Sequence, residues 1–553
     1  MPLADNEKME DFSLRYTPSS FRKWSPWMVF LTCMVGMSAM AGYALDAAYV
    51  NGYGFGNAVL GFATATAFMV PLTLTIAFYL ARHHIDIDLL TRASGFGYLG
   101  STITSLVYAT YTLIFLAYEG ALMAQAVTAL THLDIHGSYV LVAAVMVPLT
   151  IYGMSFTTKF QAWTWPLWIV LITIAVVAVA TSHHAFSNMV HLHAVSLGAT
   201  AVTGTAVFTI VGAQLAGVAQ IGEQGDYLRF MPDPTPKNRL RWRLAVIFGG
   251  PGISLFFIVV FFVSTLLVAY AQGRIGPAGS AIPVNLFTSV YQGVFGSHAV
   301  ALGVAGLLVL LSQLKINIMN TYSGSLSWSN FFSRVLHRHP GRAVWTILQC
   351  ALALVLMEMN IFAHIVTVLG WYSNVAIAWI GAMFSDLVIN KKLLKLAPPD
   401  VEFHRAHLFN FNPVGFVSML LASGISMAGY YKVFGDSLAS YSSFLSFGIA
   451  IVTPPILAWV TRGAWYIARR SELPAGAVRL TCSRCSEQFE VLDMATCNYY
   501  DGYICSLCCS TEGSCHDSCK ASAWIPVSIR SRPSAVATQP EKVPVSAEAG
   551  AEV

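Results

Sequence analysis

The chain has 553 residues, of which 56% are hydrophobic and only 10% charged, with a formal net charge of +4. A soluble protein carries roughly 25% charged residues, so this composition excludes an ordinary soluble multidomain enzyme. The small basic excess is expected to report membrane topology, not nucleic-acid binding.

The first 25 residues form a polar arm (1–25) without the apolar core of a cleavable signal peptide. From Trp27 almost to Tyr466, apolar runs recur at the length of roughly 20 residues that crosses a bilayer. Twelve spans are predicted: 27–48, 57–81, 98–130, 138–155, 163–181, 198–223, 244–271, 297–326, 343–360, 363–389, 412–431 and 443–466. Residues 26–470 are thus expected to be an all-α polytopic domain embedded in membrane lipid. Basic residues cluster in the arm (Lys8, Arg15, Arg22, Lys23) and in alternate loops, such as those with Arg82 and Arg92, with Arg239, Arg241 and Arg243, and with Lys391, Lys392 and Lys395. The intervening loops hold only Arg274 and Lys432. By the positive-inside rule both termini are cytoplasmic and the host is the cell (inner) membrane. The amphipathic stretch HHIDIDLLTRASGFG after the second span is expected to lie along the cytoplasmic interface.

Two spans carry glycines at similar depth: Gly36 and Gly42 in GMSAMAGYALD of the first, Gly212 and Gly217 in GAQLAG of the sixth. If spans 1–5 and 6–10 are inverted repeats, these are corresponding positions, where transporters break their helices to bind substrate. Close helix packing accounts for such glycines equally well one at a time. The eighth span contains a lysine, Lys315, in SQLKINIMNTYS. A charge at the centre of a bilayer costs roughly 2.5–3.5 kcal/mol and marks a buried partner or a pathway. On a helix, Gln313, Asn317, Asn320 and Gly324 share one face, and Lys315 lies about 160° from Asn317.

Eight of the ten cysteines fall in a module at 480–520, followed by a tail (521–553) too poor in apolar residues to fold. Cys482, Cys485, Cys505 and Cys508 give C-x2-C-x19-C-x2-C, close to the spacing of structural zinc sites. Cys497, Cys509, Cys515 and Cys519, with His516 as a substitute, are candidates for a second site. In a reducing compartment metal thiolates are favoured over disulfides; zinc is the expected metal, and an iron–sulfur cluster stays open. Cys33 and Cys350 are expected to be packing residues.

The ending of the sixth span, GEQGDYLRFMP, resembles the nucleobase–cation symporter family of purine, cytosine, allantoin and hydantoin permeases. The eighth span, with SQLKINIMNTYSGSLSWSNFFSRVLHRHPGR, and the ending WIGAMFSD of the tenth are similar to the same family over about 25–470. The long eighth span and the cysteine module look more like a divergent branch whose members are often joined to a histidine kinase; no kinase is expected here. The resemblance implies a five-plus-five inverted-repeat (LeuT-like) transporter fold with two further helices, and a solute site between spans 1, 3, 6, 8 and 10. In that family a planar heterocycle stacks between two tryptophans and is bound by amides. Mapped by the motifs, the stacking positions are Phe115 and Gln214, the amide of the third span is replaced by Glu119, and Asn317, Asn320 and Thr321 line the eighth.

In sodium-coupled members hydroxyl residues precede the asparagine of the eighth span. Here those places read Lys315 and Ile316, so Lys315 and Glu119 are the expected ion-coupling residues, either as a static buried pair or as a reversible charge. Asp46 and Glu358 are expected near the outer ends of their helices, and Glu223 and Asp226 are expected to be gating or structural. The chain is read as a proton-coupled secondary transporter, not an enzyme, importing a small nitrogen-containing solute: a nucleobase, allantoin or a hydantoin-like compound. Two alternatives remain: a transporter-like sensor signalling to a cytoplasmic partner through the cysteine module, and an amino-acid or amine permease.

Overall fold

The computed structural model describes residues 12–151, 153–192, 194, 201–470, 473–474 and 476–521. The predicted disordered tail, from residue 522 on, lies outside the described residues. Helices follow the apolar runs in chain order. The first repeat comprises α1 (Pro26–Cys33), α2 (Met40–Tyr53), α3 (Phe55–His83), the short α4 (Ile87–Thr91), α5 (Thr102–Thr131), α6 (Ile135–Ile151) and α7 (Gly153–Ala180), and α8 (Ala185–Val190) links it to the second. The second repeat comprises α9 (Gly204–Leu215), α10 (Ile221–Leu228), α11 (Arg239–Gly249), α12 (Gly252–Ser280), α13 (Pro283–Phe295), α14 (His298–Leu336), α15 (Arg342–Glu358) and α16 (Ile361–Phe384). Beyond it come α17 (Pro413–Tyr430), α18 (Asp436–Ala439) and α19 (Ser442–Val460).

Among the described residues nine helices are long and apolar enough to cross a membrane, and a tenth if the bent pair Pro26–Ser38 and Met40–Tyr53 is one span. The chain is an integral multi-pass membrane protein. Helices also stand at the predicted fourth and ninth positions, but α6 and α15 have 17 residues each, short of the roughly 20 needed to span unaided. The count of twelve is not established by the structure.

Both predicted breaks are departures from the α-helix, but of different depth. After α1 the chain tightens into a 3-10 turn (Met34–Ser38) and then opens fully at Ala39, whose φ of −63° and ψ of 128° are extended. Between α9 and α10 it only tightens, into a 3-10 turn at Ala216–Gln220. The two breaks touch: a Cβ on Gly36 would lie 2.9 Å from Nε2 of Gln220 and 3.0 Å from Ile253. A side chain at Gly36 would push the ends of Gln220 and Ile253 aside.

The segment after α3 does not lie along an interface. Ile85 to Phe96 is buried throughout, because its polar groups find partners inside the protein. Asp86 pairs with Arg229 at 3.5 Å, Asp88 accepts from the hydroxyls of Ser105 (2.7 Å) and Ser327 (3.0 Å), and Arg92 donates to Asn330 at 3.1 Å. Burial and the neighbouring Asp88 push the Asp86 carboxyl up, against the pull of Arg229. The arm covers this network: Phe12 to Thr17 is buried.

The cysteine module is a separate small body of two antiparallel hairpins and two short helices. β1 (Arg479–Thr481) pairs with β2 (Gln488–Glu490), β3 (Met494–Cys497) with β4 (Gly502–Cys505), and α20 (Ser506–Thr511) and α21 (Ser518–Ala521) follow. Its apolar core is small: Phe489, Met494 and Ile504 besides cysteines.

Candidate functional site

The extended residue Ala39 leaves the first N–H groups of α2 without helical partners, at the end where the helix dipole favours negative charge. Two side chains meet them. Met40 N–H donates to Oε1 of Gln313 (3.2 Å) and Ala41 N–H to Oε2 of Glu119 (3.0 Å). Gln313 Nε2 in turn donates to the same carboxylate oxygen at 2.6 Å and to the Glu119 carbonyl at 2.7 Å. A carboxylate from α5, fixed by an amide from α14, thus caps the half-helix that starts at the break.

A cavity opens beside this cap, lined from α2, α3, α5, α9, α10, α12, α14 and α16. Phe115, Glu119, Gln214 and Asn320 line it, as do Gly36, Gly42 and Gly217. Gly212 does not; it packs in α9 towards Ser443. Asn317 and Thr321 are buried outside the lining, where the Thr321 hydroxyl donates to the Asn317 carbonyl at 2.7 Å. Asn320 Nδ2 is buried without a hydrogen-bond partner among the described residues, a donor available to a bound solute.

Two more carboxylates line the cavity: Asp46 and Glu223. Asp46 is only 3% exposed; its place near the end of an apolar run suggested water, yet the break turns α2 inward. Glu223 accepts from the Tyr227 hydroxyl at 2.9 Å. No basic side chain among the described residues lines the space. Their common signal in the sequence was an acid within three to seven residues of a break, on the far side of it from the helix start.

Lys315 makes no ion pair with Glu119. It is fully buried, with Nζ 3.7 Å from the ring centre of Trp165 on α7 and no hydrogen-bond acceptor among the described residues. The surrounding shell is held by Gln161 Nε2 on the Lys315 carbonyl (2.9 Å), Trp165 Nε1 on the Leu31 carbonyl (3.2 Å) and Trp168 Nε1 on Ser312 Oγ (3.0 Å). A desolvated cation on an indole face gains about 2 kcal/mol. The Lys315 Nζ therefore sits between α1, α7 and α14, outside the cavity. Beyond Glu223, residues of the GEQGDYLRFMP motif close the side facing the arm: Asp226 accepts from Tyr108 (3.0 Å), and Arg229 donates to Tyr322 (3.3 Å).

In the cysteine module the sulfurs of Cys482, Cys485, Cys505 and Cys508 all lie within 4.8 Å of one another. A tetrahedral thiolate set with bonds of ~2.3 Å places its sulfurs ~3.8 Å apart, so this group fits a metal ion. The backbone N–H groups of Cys505 and Cys508 donate to Cys482 Sγ and Cys505 Sγ, each at 3.4 Å, outer hydrogen bonds of the kind that orient metal ligands. Cys497, Cys509, Cys515 and Cys519 stand apart from that group.

The module rests on the membrane domain. Arg15 of the arm pairs with Asp493 at 2.8 Å, their side chains 7% and 0% exposed, and its guanidinium lies 4.5 Å from the Phe489 ring centre. Tyr16 and Ser19 bond Glu490, and Arg405, in the loop before α17, donates to Asp517 at 3.0 Å. In the same loop Glu402, His404 and His407 converge, but their donors satisfy one another: the Glu402 oxygens meet His404 Nδ1 at 2.6 Å and His407 Nδ1 at 2.8 Å. Burial raises the Glu402 carboxyl, yet the two imidazoles outweigh it and hold it well below the usual range. Burial lowers His404, and Glu402 outweighs it in turn, leaving the imidazole raised.

No family model matches the sequence, and no curated protein matches it. Among solved structures the fold is similar to that of Mhp1, a nucleobase-cation-symport-1 family transporter, in a closed conformation with bromovinylhydantoin bound, at 16% identity over 82% of this chain and 96% of that one, with a TM-score of 0.59. The inward-facing conformation of Mhp1 matches at 18% identity, 83% and 95% coverage and a TM-score of 0.59. A substrate-bound, outward-open Na+-coupled sialic acid symporter matches at 12% identity, 83% and 93% coverage and a TM-score of 0.55. The chain shares the LeuT-like inverted-repeat fold of these transporters.

Proposed function

We propose that this protein is a secondary active transporter that imports a small nitrogen-containing solute by alternating access, coupled to protons and not to sodium. The observation that carries the reading is the cavity at the two helix breaks, in which Glu119 caps α2 while Asp46, Glu223, Gln214 and Asn320 offer acceptors and donors to a solute. Phe115 would supply the flat apolar face. Nucleobases, allantoin and hydantoin-like compounds present N–H edges suited to these acceptors; with three acids and no base around the space, an amine or amino acid is the nearest competitor. By the family resemblance, sodium-coupled members offer oxygens at the position of Lys315, whose Nζ here lies over the Trp165 ring, and acids that exchange a proton against the solute supply the coupling.

In this reading the cell (inner) membrane holds the body with both termini cytoplasmic, and the GEQGDYLRFMP network with the arm forms the inner closure. Cys482, Cys485, Cys505 and Cys508 would hold zinc, whose bonds supply the folding energy that the small core lacks; four thiolates suit an iron–sulfur cluster as well. The clamp of the module on arm and loop favours a second reading, a sensor that reports the state of the membrane domain to a cytoplasmic partner. Proteoliposomes separate the two. Accumulation of a labelled nucleobase, allantoin, hydantoin or amine above protein-free vesicles supports transport, whereas saturable binding with no accumulation across that panel supports the sensor.

A further inference from the structure

The first metal group leaves four cysteines over, and the module places them together. Cys497, Cys509, Cys515 and Cys519 line one narrow cavity, with their sulfurs not all within the 4.8 Å that unites the first group. We infer that these four form a second thiolate site, for a divalent cation of the zinc class, interleaved with the first and built into the seam between module and membrane domain. The inference rests on the reading of the module as a metal-binding unit.

The interleaving follows from the local structure. The β3–β4 hairpin carries one cysteine for each site at its opposite ends: Cys505 faces Met494, and Cys497 faces Gly502. Helix α20 is capped by Cys505 and carries Cys508 in its first turn, both at the first site, and Cys509, rotated by about 100° from Cys508, turns to the second. The chain then doubles back through His516 and Asp517, with φ of 45° and 55°. Two successive non-glycine residues in the left-handed region are rarely tolerated without compensation. Here they return Cys515 and Cys519 to the cavity. Each site thus takes four of the eight thiols, with none left over.

The surroundings select thiolates as the ligands and offset their charge. Glu512 and Asp517 also border the cavity but are engaged elsewhere, Glu512 by Tyr500 and Arg484, Asp517 by Arg405 and Asn410. Four thiolates around a divalent ion carry a net charge of about −2. Arg405 answers it, donating from Nη1 to the Cys509 carbonyl at 2.6 Å and to the Glu512 carbonyl, and Lys520, next to Cys519, donates to Asn410 at 3.1 Å. Such outer partners hold ligands in place and tune the ion. Because Arg405 and Asn410 belong to the membrane domain, filling this site fixes the module to that domain.

The test uses the full-length chain purified in detergent under reducing conditions. Zinc, or cobalt as a coloured substitute, is expected at about two equivalents per chain, falling to about one in Cys515→Ser/Cys519→Ser. Maleimide labelling guards against a misfolded variant: in the wild-type protein loaded with zinc, Cys497, Cys509, Cys515 and Cys519 should resist alkylation and become reactive together on chelation. One equivalent per chain, with these four thiols labelled freely while Cys482, Cys485, Cys505 and Cys508 stay protected, overturns the second site alone. No metal at all overturns the reading of the module on which it rests.

Discussion

The cavity in the membrane and the cysteine module concentrate chemistry in opposite ways. In the module the ligands are local: a C-x2-C pair on a tight turn and another at the start of a helix bring four sulfurs within 4.8 Å almost by spacing alone. In the cavity they are remote, with Glu119 on α5, Gln313 on α14 and the N–H groups of α2 meeting across 78 and 273 positions of sequence. Local chemistry stabilises its own fold, whereas remote chemistry depends on a fold made stable by other means. Perturbing the ligands should therefore unfold the module but leave the membrane body standing.

The largest expected effect follows from that contrast. Structural zinc contributes roughly 10–16 kcal/mol in small metal-dependent folds, so Cys482→Ser/Cys505→Ser should release the metal and expose 476–521 to limited proteolysis. Truncation after Pro474 should leave a body that folds and transports, measured by monodisperse elution and proteoliposome uptake. Loss of the folded body on truncation would break the comparison.

Next in size is the clamp between the regions. Arg15→Ala strands Asp493 in a buried site, a loss of about 3–5 kcal/mol for a pair broken from one side. Hydrogen exchange should rise in the arm and in 488–494 while α5 and α14 stay protected. An unchanged exchange pattern would show that the arm contributes nothing to holding the module.

Within the cavity, Glu119→Gln keeps the cap on Ala41 but removes the charge. Solute affinity or its pH dependence should change about tenfold, ~1.4 kcal/mol, with normal membrane insertion. Wild-type affinity and pH profile would reduce Glu119 to a structural cap.

The smallest effect concerns the loop that receives the module. His404 is raised in the fold, so its contribution is complete below its ordinary value of about 6.5 and fades as pH climbs through the raised one. Glu402 is depressed, so its contribution is complete above about 4.5 and fades as pH falls through the lowered one. Exchange protection at 402–408, corrected for the intrinsic pH dependence of amide exchange, should be greatest between those limits and should fall as pH climbs through the raised His404 value. A flat profile from mildly acidic to alkaline pH would contradict the staple.

What the sequence disclosed follows the same division. Apolar runs located helices at every predicted position, because hydropathy is a property of one segment; of the four glycines singled out, Gly36 and Gly217 fall in the 3-10 turns, whereas Gly42 and Gly212 lie inside α2 and α9. The partner of Lys315 was not legible. Its place on a helix face is set by period, but whether that face meets Glu119 or Trp165 depends on how α7 packs. Burial of the stretch after α3 was hidden for a related reason: its alternating acids and apolar residues look amphipathic until Arg229, Ser105 and Ser327 arrive from elsewhere. Asp46 and Glu223 were passed over as end residues since the bend at Ala39 cannot be read from composition.

The central claim is that the carboxylate-lined cavity couples solute movement to protons, with Lys315 standing where a sodium site would be. Its most direct measurement is solute uptake into proteoliposomes under an imposed inward proton gradient, run in parallel with sodium and with choline as the only external cation. The account predicts equal uptake in both salts, accompanied by proton entry and abolished when the gradient is collapsed. Uptake that requires sodium and ignores the proton gradient would contradict it.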